Sequence, residues 1–177
     1  AGLGFAHIEA FKIPKVGIIS TGDEIIPIEE EPVPGKIRDI NSYALSGFIK
    51  EAHAIPVLYG IINDDPLAIE RTIKKAIKET DMVIISGGSS VGTRDFTIEV
   101  LSSLPDTQIL VHGMSISPGK PTILAKVGDK PVWGLPGQVV SAMVVLKIVV
   151  IPFLNRLKGL ERLDKTIRVP AKLTRNV

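Results

Sequence analysis

Met82–Gly92 reads MVIISGGSSVG, and the fold follows from how its two halves join. The first half is a short, unbroken apolar run rich in β-branched residues. Such a run bounded by turn residues predicts a strand covered on both faces, as in a parallel sheet. The second half, Ser86–Gly92, carries three glycines and three serines. A loop of this kind between a buried strand and a helix can present backbone N–H groups to a phosphate, and the helix N-terminus adds partial positive charge. It is not a Walker loop, because no Gly-Lys-Ser/Thr follows, and it lacks the dinucleotide GxGxxG pattern. The bland alternative is a tight turn with no ligand. The serines and the following Arg94-Asp95 favour binding.

Working outward, the same unit recurs. Lys15–Ser20 (KVGIIS) ends in Thr21-Gly22-Asp23, Ile55–Ile62 (IPVLYGII) ends in Asn63-Asp64-Asp65-Pro66, and Pro131–Leu135 (PVWGL) ends in Pro136-Gly137. Helices fill the intervals. Asn41–Ala54 begins with a capping Asn or Ser and carries Leu45, Phe48 and Ile49 at helical spacing. Asp65–Thr80 has Asp65 as N-cap, Pro66 at the first position and an apolar stripe through Leu67, Ile69, Ile73, Ala76 and Ile77. Further helices are predicted over roughly Phe96–Leu104 and Val139–Leu157, the latter stopping at Lys158-Gly159. Gln108–Val111 and Thr122–Val127 predict strands, with a hairpin at Gly128-Asp129, so part of the sheet is antiparallel. The expected fold is α/β, a doubly wound, mostly parallel sheet with helices on both faces. Residues 15–159 form that domain. Residues 1–14 are a linker or the end of a preceding domain, and 160–177 begin a C-terminal β unit, since Thr166–Leu173 alternates apolar and polar residues. The first residue is Ala and the last three are Arg175-Asn176-Val177, so both ends are expected to be internal to a longer chain.

Composition narrows the chemistry. A chain of 177 residues buries one good core. A net charge of +2 without a Lys/Arg-rich run argues against a nucleic-acid partner. The absence of cysteine excludes disulfides, thiolate metal sites and a Cys nucleophile. His7, His53 and His112 are too scattered for a zinc motif. Lys147 and Pro152 interrupt the apolar stretch from Val139 to Leu154, which falls short of the ~20 residues of a membrane span, so a buried helix is expected and no membrane partner.

Ligands of open α/β sheets sit outside the carboxyl ends of the strands. Here those ends carry Thr21, Gly22, Asp23 and Glu24; Asp64; Ser86–Asp95; and Pro136-Gly137. Glu24, Asp64 and Asp95 follow three different strands, and converging carboxylates suit Mg²⁺, which is usually held by one or two carboxylates plus phosphates. Taken singly, each acid is a turn or cap residue. Lys120, in the Pro118-Gly119-Lys120-Pro121 turn, is either a phosphate contact or an exposed loop lysine. Pro136 and Gly137 bring a helix N-terminus towards an anion.

STGDEI (20–25), INSYAL (40–45), NDDP (63–66), SGGSSVGTRDFT (86–97), PGKP (118–121) and LPGQVVSA (135–142) follow one another in an order that resembles the molybdopterin molybdenumtransferase family. The resemblance covers roughly Lys15 to Gly159. It implies a MogA-like molybdopterin-binding fold, insertion of molybdate into adenylylated molybdopterin (molybdopterin-AMP) with release of AMP, Mg²⁺ use, a homodimer and a cytoplasmic setting. It places Glu24, Asp64 and Asp95 in the active site and at the metal. Around the pterin-nucleotide it places Thr21, Gly22, Asp23, Ser86, Gly87, Gly88, Ser89, Ser90, Gly92, Pro118, Gly119, Lys120, Pro136, Gly137 and Ser141. Two family lysines are replaced here by Gly113 and Ser117, and the family's Asn-Pro after Leu-Pro-Gly is Gln138-Val139. Fewer cations imply weaker oxyanion binding. The alternatives are a molybdopterin adenylyltransferase and a non-catalytic molybdopterin-binding module.

Overall fold

The computed structural model describes residues 2–87, 96–160, 169, 170 and 172. Among the described residues there are eight strands: β1 (Lys15–Thr21), β2 (Ile25–Ile26), β3 (Ile37–Arg38), β4 (Ile55–Ile62), β5 (Met82–Ser86), β6 (Thr107–His112), β7 (Ile123–Val127) and β8 (Lys130–Leu135). The helices are α1 (Asn41–Glu51), α2 (Pro66–Glu79), α3 (Phe96–Ser103) and α4 (Val139–Leu157). Six strands form one sheet in the order β4-β1-β5-β8-β7-β6. β4, β1, β5 and β8 pair in parallel, and β7 is antiparallel to both β8 and β6. The expected mostly parallel sheet and the hairpin at Gly128-Asp129 are both present, with Val127 opposite Lys130.

The alternation of side chains along the central strands builds two cores. Val16, Ile18, Met82, Ile84, Trp133 and Leu135 face α1 and α4, where Leu45, Ile49, Val145, Leu146, Val150 and Leu154 meet them. Ile19, Val83, Ile85 and Val132 face the other way, onto Ile69, Ile73 and Ala76 of α2 and Val100 and Leu101 of α3. This explains the unbroken apolar runs, since neither face of β1 or β5 sees water. β4 departs from that expectation. It is the edge strand, so Ile55 and Leu58 remain about half exposed, at 44% and 50%. An apolar run marks strand potential and does not tell a central strand from an edge.

α2 is capped as its sequence predicts: the Asp65 side chain accepts from the Leu67 N–H at 3.0 Å, with Pro66 at the first turn. α1 is not. The predicted Asn or Ser cap is replaced by Asp39, whose Oδ1 accepts from the Ser42 N–H at 3.1 Å. α4 runs unbroken through Lys147 and Pro152 for 19 residues and is long and apolar enough, by length and composition, to cross a membrane. Its Ala142, Val145, Leu146, Val150 and Leu154 are nevertheless packed on the sheet. A π-helical turn at Leu146–Val150 precedes Pro152, as expected where a proline ring crowds the carbonyl four residues back. The Pro-rich stretch after Glu24 contains a small feature that its composition hides, a parallel pairing of Ile25 and Ile26 with Ile37 and Arg38. The predicted strand at 166–173 lies largely outside the described residues.

Candidate functional site

The connection after β1 leads to α1 on one face, whereas the next strand, β5, leads to α3 on the other. β8, on the far side of β5, again leads to α4 on the first face. Adjacent strands whose connections diverge leave a crevice at their carboxyl ends. A cavity of about 590 Å³ lies there, lined by Ser20, Thr21, Glu24, Ser86, Gly87, Pro136, Gly137, Gln138 and Ser141, with Arg38, Asp39, Ile40 and Asn41 at the entry to α1. Its size falls within the range usual for small-molecule pockets.

Glycine is required where the loops meet. Gly87 has φ +116°, and a Cβ there would stand 2.0 Å from the Thr21 carbonyl oxygen. The ends of β1 and β5 therefore touch through bare backbone. Gly137 packs on Gly87 at ordinary contact distance: a Cβ on it would lie 3.5 Å from the Gly87 Cα.

A polar network replaces the apolar core at this edge. The Ser20 hydroxyl, at the end of β1, meets Asp39 Oδ1 at 3.1 Å and Ser42 Oγ at 2.8 Å. Asn41 Nδ2 donates to Ser86 Oγ at 2.6 Å and to the Gly137 carbonyl at 2.8 Å, so one amide ties α1 to the ends of β5 and β8. Ser141 Oγ donates to Gln138 Oε1 at 3.0 Å. Gln138, preceding α4, makes no side-chain bond to that helix's N–H groups. Three buried oxygens near this edge have no hydrogen-bond partner: Thr21 Oγ1, Asn41 Oδ1 and Asp64 Oδ1. Native folds pair such atoms as a rule, so each marks strain or a missing partner.

The acids gather on the β4 side. Asp64 donates its backbone N–H to Asp23 Oδ1 at 3.1 Å. Burial raises the Asp64 carboxyl above its ordinary value, and the charges of Asp23 and Glu24 raise it further. Glu24 lines the cavity, and its carboxylate folds over Gly22, where a Cβ would meet Oε2 at 2.7 Å. Lys36 Nζ caps the Asp23 carbonyl at 2.5 Å.

Of the residues singled out from sequence, Thr21, Glu24, Ser86, Gly87, Pro136, Gly137 and Ser141 line the cavity. Gly22, Asp23 and Asp64 stand beside it. Pro118, Gly119 and Lys120 do not line it. Their neighbour Pro121 does, Gly119 is buried against Val145 and Ile116, and Lys120 is exposed. Gly88, Ser89, Ser90, Gly92 and Asp95 lie outside the described residues. Among the described residues no group of three or more His, Cys, Asp or Glu is arranged to hold a metal ion. Sequence reasoning missed Arg38 and Asp39 and gave Asn41 only a capping role. The signal was present in the polar pair Asp39-Asn41 ahead of an apolar helix, where one cap suffices.

The chain matches a known family. The profile described as "Probable molybdopterin binding domain" matches residues 17–156. A molybdopterin molybdenumtransferase from Nostoc sp. is 38% identical over 159 residues, which are 88% of this chain and 36% of that protein. One from Haemophilus influenzae is 33% identical over 177 residues, all of this chain and 43% of that protein. Among solved structures, a molybdopterin biosynthesis MoeA protein from Pyrococcus horikoshii superposes with a TM-score of 0.76 at 41% identity, over 84% of this chain and 36% of that one. The chain thus spans about two fifths of the length of these relatives. By the profile match over most of its sheet and the shared fold, the chain belongs to the molybdopterin-binding domain family.

Proposed function

We propose that this chain is the pterin-nucleotide domain of a molybdopterin molybdenumtransferase in molybdenum-cofactor biosynthesis, binding adenylylated molybdopterin and inserting molybdate with release of AMP. The observation that carries the reading is the cavity itself. It opens where three strand ends meet, its wall includes the N-terminal residues of both α1 and α4, and free helix N–H groups suit an anionic ligand. The molybdenumtransferase name borne by relatives in Nostoc and Haemophilus supports the choice of reaction.

Mg²⁺ fits the acids in this proposal. Asp64 Oδ1 is a buried, unpartnered oxygen on a carboxyl pushed up by burial, Asp23 and Glu24, a state that a cation would relieve. Glu24 and Asp64 would hold the ion, with Asp95 as the third acid expected from the sequence. Two carboxylates plus substrate phosphate are a usual Mg²⁺ set. Bound there, the ion would neutralise charge developing on the phosphate. Cytoplasmic location, a homodimer and flanking domains before residue 15 and after residue 159 belong to the same proposal.

The scarcity of cations favours a second reading, a module that binds the pterin-nucleotide without turnover. Among the described residues Arg38 is the single Lys or Arg on the cavity wall, and its Nε is engaged by the Ile28 and Glu30 carbonyls at 3.0 and 3.1 Å. Gly113 and Ser117 add no charge. A titration with adenylylated molybdopterin, with and without molybdate and with AMP measured, separates the readings. Saturable binding with molybdate-dependent AMP release is expected. Binding without AMP from the full-length protein selects the module, and no saturable binding removes both.

A further inference from the structure

The cavity described above lies where α1 and α4 begin. A second, smaller one of about 280 Å³ lies where the same two helices end, at the opposite edge of the sheet. Phe48 of α1, Ile151 of α4 and Leu160 beyond it supply its apolar lining. Glu51 and His53 reach its rim from the end of α1, and Lys147 and Lys158 from α4 and its C-cap. Lys158 Nζ donates to the carbonyl of Ala52, the C-cap of α1, where a cation suits the helix's negative end. Lys12, Lys74 and Lys126 have carboxylate partners. Among the described residues Lys158 has none, and burial pushes its ammonium below the ordinary lysine value. Glu51, on the same rim, does not reverse that. A lysine drawn partly out of water holds more of its amine neutral, and the neutral amine is the nucleophile. The rest of the cavity suits an electrophile of one kind. Lys147 is exposed, makes no ion pair or side-chain hydrogen bond among the described residues, and offers a point charge to a phosphate. Phe48, Ile151 and Leu160 offer apolar surface to a short carbon chain.

We propose that Lys158 is an acylation site, and that the cavity at the ends of α1 and α4 guides a small acyl phosphate to it. Lys158 first loses one proton to solvent. Its Nζ lone pair then attacks the acyl carbonyl carbon, and a C–N bond forms as the C–O bond to phosphate breaks. The phosphate leaves with that electron pair, beside the Lys147 ammonium. The surplus proton on the nitrogen passes to solvent at the open rim. No oxidant or reductant is needed. The product is a neutral amide, so acylation removes the charge that clasps the end of α4 to the end of α1. The site is independent of the strand-end cavity and of the reaction proposed there.

The test incubates the 177-residue chain with acetyl phosphate in mildly alkaline buffer and follows the acetyl occupancy of each lysine by peptide mass spectrometry. Lys158 is expected to react at least about fivefold faster than Lys50 and Lys78, which are exposed and off this cavity. Lys147→Met keeps a flexible stem and loses the charge. It is expected to slow Lys158 at least about threefold with acetyl phosphate, and to leave its rate unchanged with the N-hydroxysuccinimide ester of acetate, a donor without phosphate. Inorganic phosphate should slow Lys158 saturably in the unaltered protein without slowing Lys50. A rate for Lys158 no higher than for Lys50 and Lys78 overturns the proposal. So does a Lys147→Met variant, folded by its thermal melt, that is unchanged with acetyl phosphate or slowed equally with both donors. Absence of protection by inorganic phosphate overturns it as well, and that measurement needs no variant.

Discussion

Asp64 and Asp81 sit at opposite edges of the same sheet, one just after β4 and one just before β5, and burial pushes both carboxyls up. Their neighbours then part company. Asp81 accepts from the Lys15 N–H at 2.8 Å and the Lys12 ammonium at 3.0 Å. These bonds, with the charges of Lys12 and Lys130, outweigh burial and hold it below its ordinary value. Asp64 has Asp23 and Glu24 beside it and a buried oxygen without a partner. A carboxylate that serves the fold is supplied with donors. One surrounded by like charge stores unfavourable energy that folding alone does not explain, a pattern found at functional sites.

The sharpest way to break this contrast is to neutralise each acid in turn. If the proposed transfer and metal site are right, Asp64→Asn in the full-length protein is expected to lower AMP release about a hundredfold or more at limiting Mg²⁺, since the charge that would hold the metal is lost. Asp81→Asn should leave the rate within about twofold. Equal losses would mean that Asp64 is a structural acid like its counterpart.

A second contrast concerns glycines at the two edges. Gly87→Ala places a Cβ against the Thr21 carbonyl at a φ of +116°, and is expected to cost about 3 kcal/mol or more in chemical denaturation. Gly128, in the hairpin at the opposite edge, has φ +56° and open space around it. Its alanine variant should cost only about 1 kcal/mol, the penalty of a left-handed residue. Similar midpoints for the two variants would show that the cavity edge yields more readily than its packing implies.

The smallest effects bear on the acids themselves. Asp81→Asn should destabilise the protein by about 1 kcal/mol at pH 7. Its folded carboxyl is held low, so this contribution is present above the unfolded value and disappears as pH falls through the folded one. Asp64 is raised, so its ionised form opposes folding at neutral pH. Asp64→Asn should therefore raise the melting temperature slightly while lowering AMP release. Thermal melts of both variants at pH 7, and of Asp81→Asn against acid, decide the matter. A lower melting temperature for Asp64→Asn would show that its repulsion is already compensated.

Much of this was legible in the chain. β4, β5 and the helix with its Asp65-Pro66 start were placed to within a residue or two, because a strand's apolar run, a helix's 3.6-residue stripe and a cap are short-range signals. The hairpin at Gly128-Asp129 was equally local. The chemistry of the edge was visible as well, since ligands of such sheets gather at the strands' carboxyl ends and the Gly-, Ser- and Asp-rich turns mark them.

By itself, then, the sequence determined which segments are strands and helices, which turns carry glycine and carboxylate, and, through the order of its motifs, the family. Only the tertiary structure decided the order β4-β1-β5-β8-β7-β6, and with it which turns become neighbours. Strand adjacency depends on pairing between residues far apart in the chain, and no periodicity encodes it. That order left β4 at an edge despite its apolar run, and drew Thr21, Ser86 and Gly137 to one wall while leaving Lys120 off it. It also turned Asn41 from a cap into a bridge: Asp39 took the cap, and the Ser86 hydroxyl and Gly137 carbonyl stood within reach of its amide. A side chain's role follows from the partners that packing brings to it, and local sequence names only the candidates.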